Sequence, residues 1–291
     1  MDLKFCILIL SYNHPELTAR AVQSALDFSS NSDSIILVHN GSDLKHRDIL
    51  TSRFHKVRHE ILASNKGYSG GVNAGFRQAL AMGFDWIFLL TNDCVLSQIH
   101  VPTNLEPGLI APLIHRRKQG QIDSCGGIFQ PARAHIFHAR SAEEFMSCVK
   151  SGGTKNLPYI PGSAFWIHRS VIEHVGLMDE SLGTYWEDVD YSARAHLAGI
   201  PLQFDSRTEV LHQVGKTNHK DPRYTTYFFQ RNRRVVSKRY VTRDFFSNLR
   251  LQWILELSWL SLWLHFCRRG HWPRARLLWQ ARQDAQKMKS S

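Results

Sequence analysis

The sequence predicts an α/β fold built on a mostly parallel sheet, and three observations carry that prediction. Continuous apolar runs recur at 4–10 ("KFCILIL"), 34–40 ("SIILVHN") and 86–90 ("WIFLL"), as in strands buried on both faces. Helical stretches alternate with them, which argues for a sheet covered on both sides. A polar loop follows each strand ("SYNH", "HNGSD", "NKGYSGG", "TNDC"), and in such sheets ligands bind beyond the carboxyl ends of the strands.

The elements follow in order. After the first strand, Pro15 opens an amphipathic helix to about residue 26, with Leu17, Ala21 and Ala25 on one stripe. The second strand is followed by a weaker one at 59–64, then by a glycine-rich turn that opens a helix over 71–82. The 86–90 strand comes next. From 109 to 165 the pattern breaks into short strands and turns, including "IDSCGGIFQ" and "YIPGSAFWIHRS". After Asp188 a helix carries Val189, Ala193 and Leu197 on a narrow stripe, and Gly199 and Pro201 stop it. "PLQFDSRTEVLHQVG" reads as a strand with His212 at its end. Beyond 215 the chain turns to helices rich in aromatics and bases, so we divide it into a catalytic domain at 1–215 and a C-terminal helical region at 216–291.

The 291 residues, 43% of them hydrophobic, suffice for a large core. Neither long disorder nor an internal repeat is visible. A net charge of +11 favours anionic partners, and seven Lys or Arg with no acid lie between residues 223 and 243. Five widely spaced cysteines form no C-x-x-C pair, which suggests reduced thiols and a cytoplasmic protein. The apolar run at 5–10 is too short for a signal peptide.

Three acids crowd together in "TYWEDVDYSARAH" (184–196). Capping of a helix start accounts for one, and an i, i+4 pair between Asp190 and Arg194 for another. Neither accounts for Glu187 beside Asp188. "NKGYSGGVNAGF" (65–76) is neither a P-loop nor a dinucleotide fingerprint. Its glycines allow close backbone approach, either for an anion at a helix start or for helix–sheet packing. Asp93, just past a buried strand, suits a divalent cation, and the imidazole of His212 suits Mn²⁺.

In this order the segments "ILILSYNHPELTARAVQSAL", "ILVHNGSD", "NKGYSGGVNAGFRQAL", "WIFLLTND", "PGSAFWIHRSVIEHVGLMDESLGTYWEDVDYSARAHLAGIPLQF", "VLHQVG" and "YFFQRNRRVV" resemble family 2 glycosyltransferases. The likeness covers roughly 3–240 and is nearest the rhamnosyltransferase-like and galactofuranosyltransferase-like branch. It implies a GT-A fold and an inverting transfer from a nucleotide-diphosphate sugar, most readily a UDP or dTDP sugar, to a hydroxyl of a glycan or lipid-linked acceptor. By the same resemblance Asp188 matches the catalytic base, with Glu187 and Asp190 as supporting acids. Asp93 and His212 match the holders of a divalent cation, Mn²⁺ or Mg²⁺. Ser11, Tyr12, Asn13, His39, Asn40, Lys66, Gly70, Gly71, Asn73 and Asn92 match the nucleotide and donor side, and Trp186 and Gly162 the acceptor side. Two departures stand out. "VHNGS" carries His39 where the family usually has an aspartate, and "TND" puts Thr91 where the first metal-binding carboxylate is usual.

Five of eight tryptophans lie beyond residue 252. "LRLQWILELSWLSLWLHFC" (249–267) is apolar but interrupted by Arg250, Glu256 and His265, which argues against an ordinary membrane span. Residues 249–280 suit either peripheral contact with the inner face of the cytoplasmic membrane or packing against the catalytic domain. Two other functions are compatible with the charge and the sheet: a degenerate basic module that binds membrane or nucleic acid, and a nucleotidyltransferase. The second lacks the usual Gly- and Arg-rich loop after the first strand. No nucleic-acid partner is expected.

Overall fold

The computed structural model describes residues 4–29, 31–116, 121–151, 153, 155–213 and 221–288. Its first half alternates strand and helix: β1 (Phe5–Ser11), α1 (Pro15–Phe28), β2 (Ile35–Asn40), α2 (Leu44–Arg53), β3 (Arg58–Leu62), α3 (Gly67–Ala81), β4 (Trp86–Thr91). The sequence pattern does not announce α2, a polar helix that buries Leu50. β3, β2, β1 and β4 lie side by side and pair in parallel. Their carboxyl ends therefore share one edge. Successive residues of β1 serve opposite faces: Cys6, Leu8 and Leu10 pack towards α3, Ile7 and Ile9 towards α1.

The strands that follow are β5 (Cys94–Gln98), β6 (Leu109–Arg116) and β7 (Ile122–Ser124), then β8 (Gly127–Gln130) and β9 (His135–His138). Next come α4 (Ala142–Ser151), β10 (Leu157–Tyr159), β11 (Ala164–His168), α5 (Arg169–Val175), α6 (Glu187–Leu197) and β12 (Leu202–His212). The main sheet runs β3-β2-β1-β4-β11-β6-β12-β5, with β7 beside β6. Here β11 pairs antiparallel to β4 and to β6, and β12 parallel to β6. β10, β8 and β9 form a small second sheet.

α3 starts at Gly67, four residues before the expected 71. Glycine is a poor helix former, so propensity hides this first turn. Tertiary packing supplies the reason for it. A Cβ at position 71 would lie 2.5 Å from Leu10 Cδ1, and one at 75 would lie 2.3 Å from Leu8 Cδ1. The glycines let α3 lie close on the sheet.

The division expected at 215 falls within 214–220, outside the described residues, as do Val214 and Gly215 of "VLHQVG". After a π-helical turn (Arg223–Phe228), α7 (Phe229–Tyr240), α8 (Phe245–Arg268) and α9 (Trp272–Lys287) complete the chain. α7 is bonded to the loop before α6. α8 and α9 pack through Phe266, Ala275 and Leu278, flanked by Trp259 and Trp263. Among the described residues no helix is long and apolar enough to cross a membrane.

Candidate active site

Asp93 occupies the turn between β4 and β5, and β12 delivers His212 beside it by pairing with Cys94 at the start of β5. His212 Nε2 lies 3.6 Å from Asp93 Oδ2, while Nδ1 meets Asp123 Oδ2 at 3.3 Å. Burial works against a charged ring, yet the two carboxylates outweigh it and raise the His212 pKa to about 9. The hydrogen bond from His212 in turn holds Asp123 below the usual carboxylate range. Thr91, the departure noted in "TND", has a role of its own: its hydroxyl donates to Asp93 Oδ1 at 2.7 Å and orients the carboxylate.

The three acids open α6. Tyr185 and Trp186 before them adopt left-handed backbone, φ 67° and 72°, which is rare for such bulky residues. Asn232 of α7 holds this turn: its amide nitrogen lies 2.7–2.9 Å from the carbonyls of Leu182, Thr184 and Tyr185. Asp188 receives two backbone N–H groups, Gly162 on Oδ2 (2.9 Å) and Val189 on Oδ1 (2.8 Å). Burial raises its pKa, and the two amides draw it back down. Glu187 is 5% exposed and, among the described residues, its Oε2 has no hydrogen-bond partner. Burial, then Asp188 and Asp190, push its pKa well up. Asp190 faces elsewhere: it accepts from Arg194 (3.0 Å), Arg239 (2.9 Å) and Tyr240 (2.9 Å) and locks α6 to α7.

One cavity of about 350 Å³ brings Asp93, His212, Asp188, Glu187 and Gly162 together, with Tyr12, Asn40 and Asn92 also on its wall. Other expected residues stand behind that wall. Ser11 bonds to Thr18, which accepts from Asn92, so the two loops are tied together. Asn13 joins the β1 loop to Ser42 and Asp43. His39 is buried against His59 at 2.8 Å; burial, His59 and Arg47 lower its pKa to about 4. Lys66 gives its amide to Asn40. Gly70 and Gly71 lie within α3, and Asn73 bonds to Met178 and Glu180. Trp186 packs on Phe129 and Phe229. The first amides of α3 are taken, Gly67 by Asn65, Tyr68 by Thr184 and Ser69 by Gly183, so the glycine run serves packing in this structure. Tyr68, Asp123, Thr184 and Asn232 stand in segments quoted above, but the sequence pattern gives them no role, and Thr91 shows there only as a departure from the family.

The donors here fit a divalent cation. Asp93, Cys94 and His212 bring ligand atoms within 4.8 Å of one another. Cys94 is fully buried, and burial with the Asp93 charge raises its pKa, so the thiol keeps its proton. A carboxylate and an imidazole remain. Asp123 on the far nitrogen of His212 is the carboxylate–histidine support that metal-binding histidines use.

Residues 6–176 match the family model for glycosyl transferase family 2. Asp188 and His212 lie beyond that segment. The chain is 23% identical over 304 residues to galactofuranosyltransferase GlfT1 of Mycolicibacterium smegmatis, covering 92% of this chain and 97% of that protein. It is 26% identical over 188 residues to the low-salt glycan biosynthesis hexosyltransferase Agl10 of Haloferax volcanii, covering 60% of this chain and 57% of that one. Among solved structures, GalNAc-T7 with UDP, GalNAc and Mn²⁺ superposes with a TM-score of 0.62 at 15% identity. That match covers 83% of this chain and 49% of GalNAc-T7. Residues 1–349 of S. aureus TarS superpose with a TM-score of 0.51 at 12% identity, covering 97% and 92% of the two chains. These likenesses agree with the GT-A fold expected from the sequence.

Proposed function

The chain belongs to glycosyl transferase family 2, and from that premise we propose that it moves a hexose from a nucleotide-diphosphate donor to a hydroxyl of a glycan or lipid-linked acceptor, with inversion. The donor class we favour is a UDP or dTDP sugar. GlfT1, similar over nearly its whole length, is named for sugar transfer. The observation that carries the reading is the single cavity in which a partly buried carboxylate, Asp188, faces the Asp93–His212 pair.

Asp188 serves as general base. It takes the proton of the acceptor hydroxyl as that oxygen attacks the anomeric carbon and the bond to the diphosphate breaks. The amides of Gly162 and Val189 fix the orientation of its carboxylate. Burial keeps it basic enough for the task, while Glu187 beside it is held protonated by its own burial and by the Asp188 and Asp190 charges, which leaves Asp188 as the ionised member of the pair. Asp93 and His212, oriented by Thr91 and Asp123, would hold Mn²⁺ or Mg²⁺. When bound, the cation would stabilise the charge of the departing diphosphate. Asn40 and Asn92, with Tyr12, line the nucleotide side, and Gly162 the acceptor side. The catalytic unit is taken as 1–215, with α7 buttressing its acidic loop.

Thermal stability with UDP, dTDP, GDP and CDP, each with Mn²⁺ or with chelator, tests the donor site. A ligand at about a hundredfold its dissociation constant adds about 2.7 kcal/mol. A metal-dependent shift with one nucleotide is expected. Asp188→Asn should then abolish transfer and leave that shift in place. Turnover by Asp188→Asn would remove the base assignment, and no shift with any nucleotide would remove the donor.

A further inference from the structure

α8 carries two apolar faces. Leu251, Leu255 and Phe266 are buried against the body of the protein. On the other side Phe246, Leu249, Trp253, Leu257, Leu260 and Leu264 follow one another at three- or four-residue steps. All six are exposed, from 37% at Leu264 to 79% at Phe246. At 1.5 Å per residue this stripe is about 27 Å long. Trp272 and Trp279 add exposed aromatic surface on α9. Scattered apolar side chains on a surface are ordinary, but a continuous stripe marks a contact.

The charge around the stripe identifies the contact. From Phe245 to Lys287 there are six arginines and one lysine against two acids, Glu256 and Asp284, and Asp284 accepts from Tyr227. Glu256 is already paired, with Arg234 at 2.7 Å and Arg282 at 3.0 Å. Arg250, Arg268, Arg269 and Arg276 are exposed. A two-fold interface through this face would repeat the same uncompensated arginines on both sides. An anionic bilayer meets both demands, with headgroups for the arginines and acyl chains for the stripe.

We propose that α8 lies in the surface plane of an anionic membrane, with Phe246, Trp253, Leu257 and Leu264 below the headgroups. α9 packs on α8, the Trp259 indole donating to the Leu278 carbonyl at 3.3 Å. Its Leu277 and Gln280 wall an open cavity of about 510 Å³ that shares Tyr12, Asn65 and Thr184 with the transfer cavity. A lipid-linked acceptor would thus reach the site from the membrane side. That last step rests on the transferase reading, whereas the membrane surface does not.

Flotation of the full chain with phosphatidylcholine vesicles, with and without phosphatidylglycerol, tests the surface. The chain should float with the anionic vesicles, less so at high salt, and not with the neutral ones. Trp253→Glu combined with Leu257→Glu should weaken partitioning by roughly a hundredfold. The melting temperature and the nucleotide-induced shift should stay unchanged, which separates this proposal from the transferase reading. Two results would overturn it. One is a variant that floats as well as the parent. The other is a parent that ignores the vesicles and sediments as a dimer which the double variant splits, assigning the stripe to a second copy.

Discussion

The backbone amide of Gly162 donates to Asp188 Oδ2 at 2.9 Å, and a side chain at 162 would break that relationship. An added Cβ would stand 2.8 Å from the Tyr68 hydroxyl and 3.3 Å from Asp188 Cβ. Gly162→Ala should therefore lower kcat by roughly 10- to 100-fold through misplacement of the base. The donor KM should hardly move, since the Asp93 end is untouched. Burial raises the Asp188 pKa and the Gly162 amide lowers it. The base works only when ionised, so kcat falls as pH drops through a pKa above the usual carboxylate range. Losing the amide moves that acidic limb to higher pH. Paired kcat–pH profiles of the parent and Gly162→Ala check both the loss and the direction of the shift.

Glu187 adds a pH dependence to stability. Its folded pKa is raised by burial, then by Asp188 and Asp190. Folding therefore favours its protonated form. It costs nothing below the unfolded pKa, and the cost grows as pH rises towards the folded value. Glu187→Gln removes that titration. Relative to the parent, the variant should gain stability with rising pH, at up to about 1.4 kcal/mol per pH unit, and the gap should close near pH 4. Urea midpoints at pH 5 and pH 8 measure it, and a gap that does not change with pH would show that Glu187 ionises freely.

The sheet was legible because buried strands such as β1 and β2 are unbroken apolar runs, and parallel pairing sends their ends to one edge. The meeting of Asp93, His212 and Asp188 was instead implied by the resemblance to family 2 glycosyltransferases together with the polar loops at the strand ends. What stayed hidden depends on distant partners. Gly67 and Gly71 look like turn residues until the Gly183 backbone is seen against the first and Leu10 beneath the second. Asp123 sits on a three-residue strand with no local pattern, and only the arrival of His212 gives it a task. Asn40 was expected to contact the donor, but it also ties β2 to the start of α3, which no spacing reveals.

Asp123 should matter to metal binding without ligating the ion. It fixes the far nitrogen of His212 at 3.3 Å, and such supporting carboxylates are usually worth about 10- to 100-fold in affinity. Asp123→Asn should weaken Mn²⁺ binding by about that factor, and Asp93→Ala by more. Titration calorimetry with Mn²⁺ alone gives the answer free of turnover. Chelator should remove most transfer activity from the parent, with excess Mn²⁺ restoring Asp123→Asn but not Asp93→Ala.

Asn232 is fully buried in α7, yet it governs the turn that presents the acids. Its amide nitrogen serves the carbonyls of Leu182, Thr184 and Tyr185, while Arg231 also reaches Leu182. Tyr185 and Trp186 hold their left-handed backbone immediately after these bonds. Without the amide, two buried carbonyls lose their donor from α7, at about 1–3 kcal/mol for a buried group left unsatisfied. The strained turn is then free to relax, carrying Glu187 and Asp188 with it. Asn232→Ala should lower stability by about 2 kcal/mol or more. It should also lower kcat beyond what partial unfolding explains, because the base is aimed by this turn. Urea melts and kcat measured well below the melting temperature separate the two effects: lost stability with an unchanged kcat would mean that α6 holds Asp188 in place without help from α7.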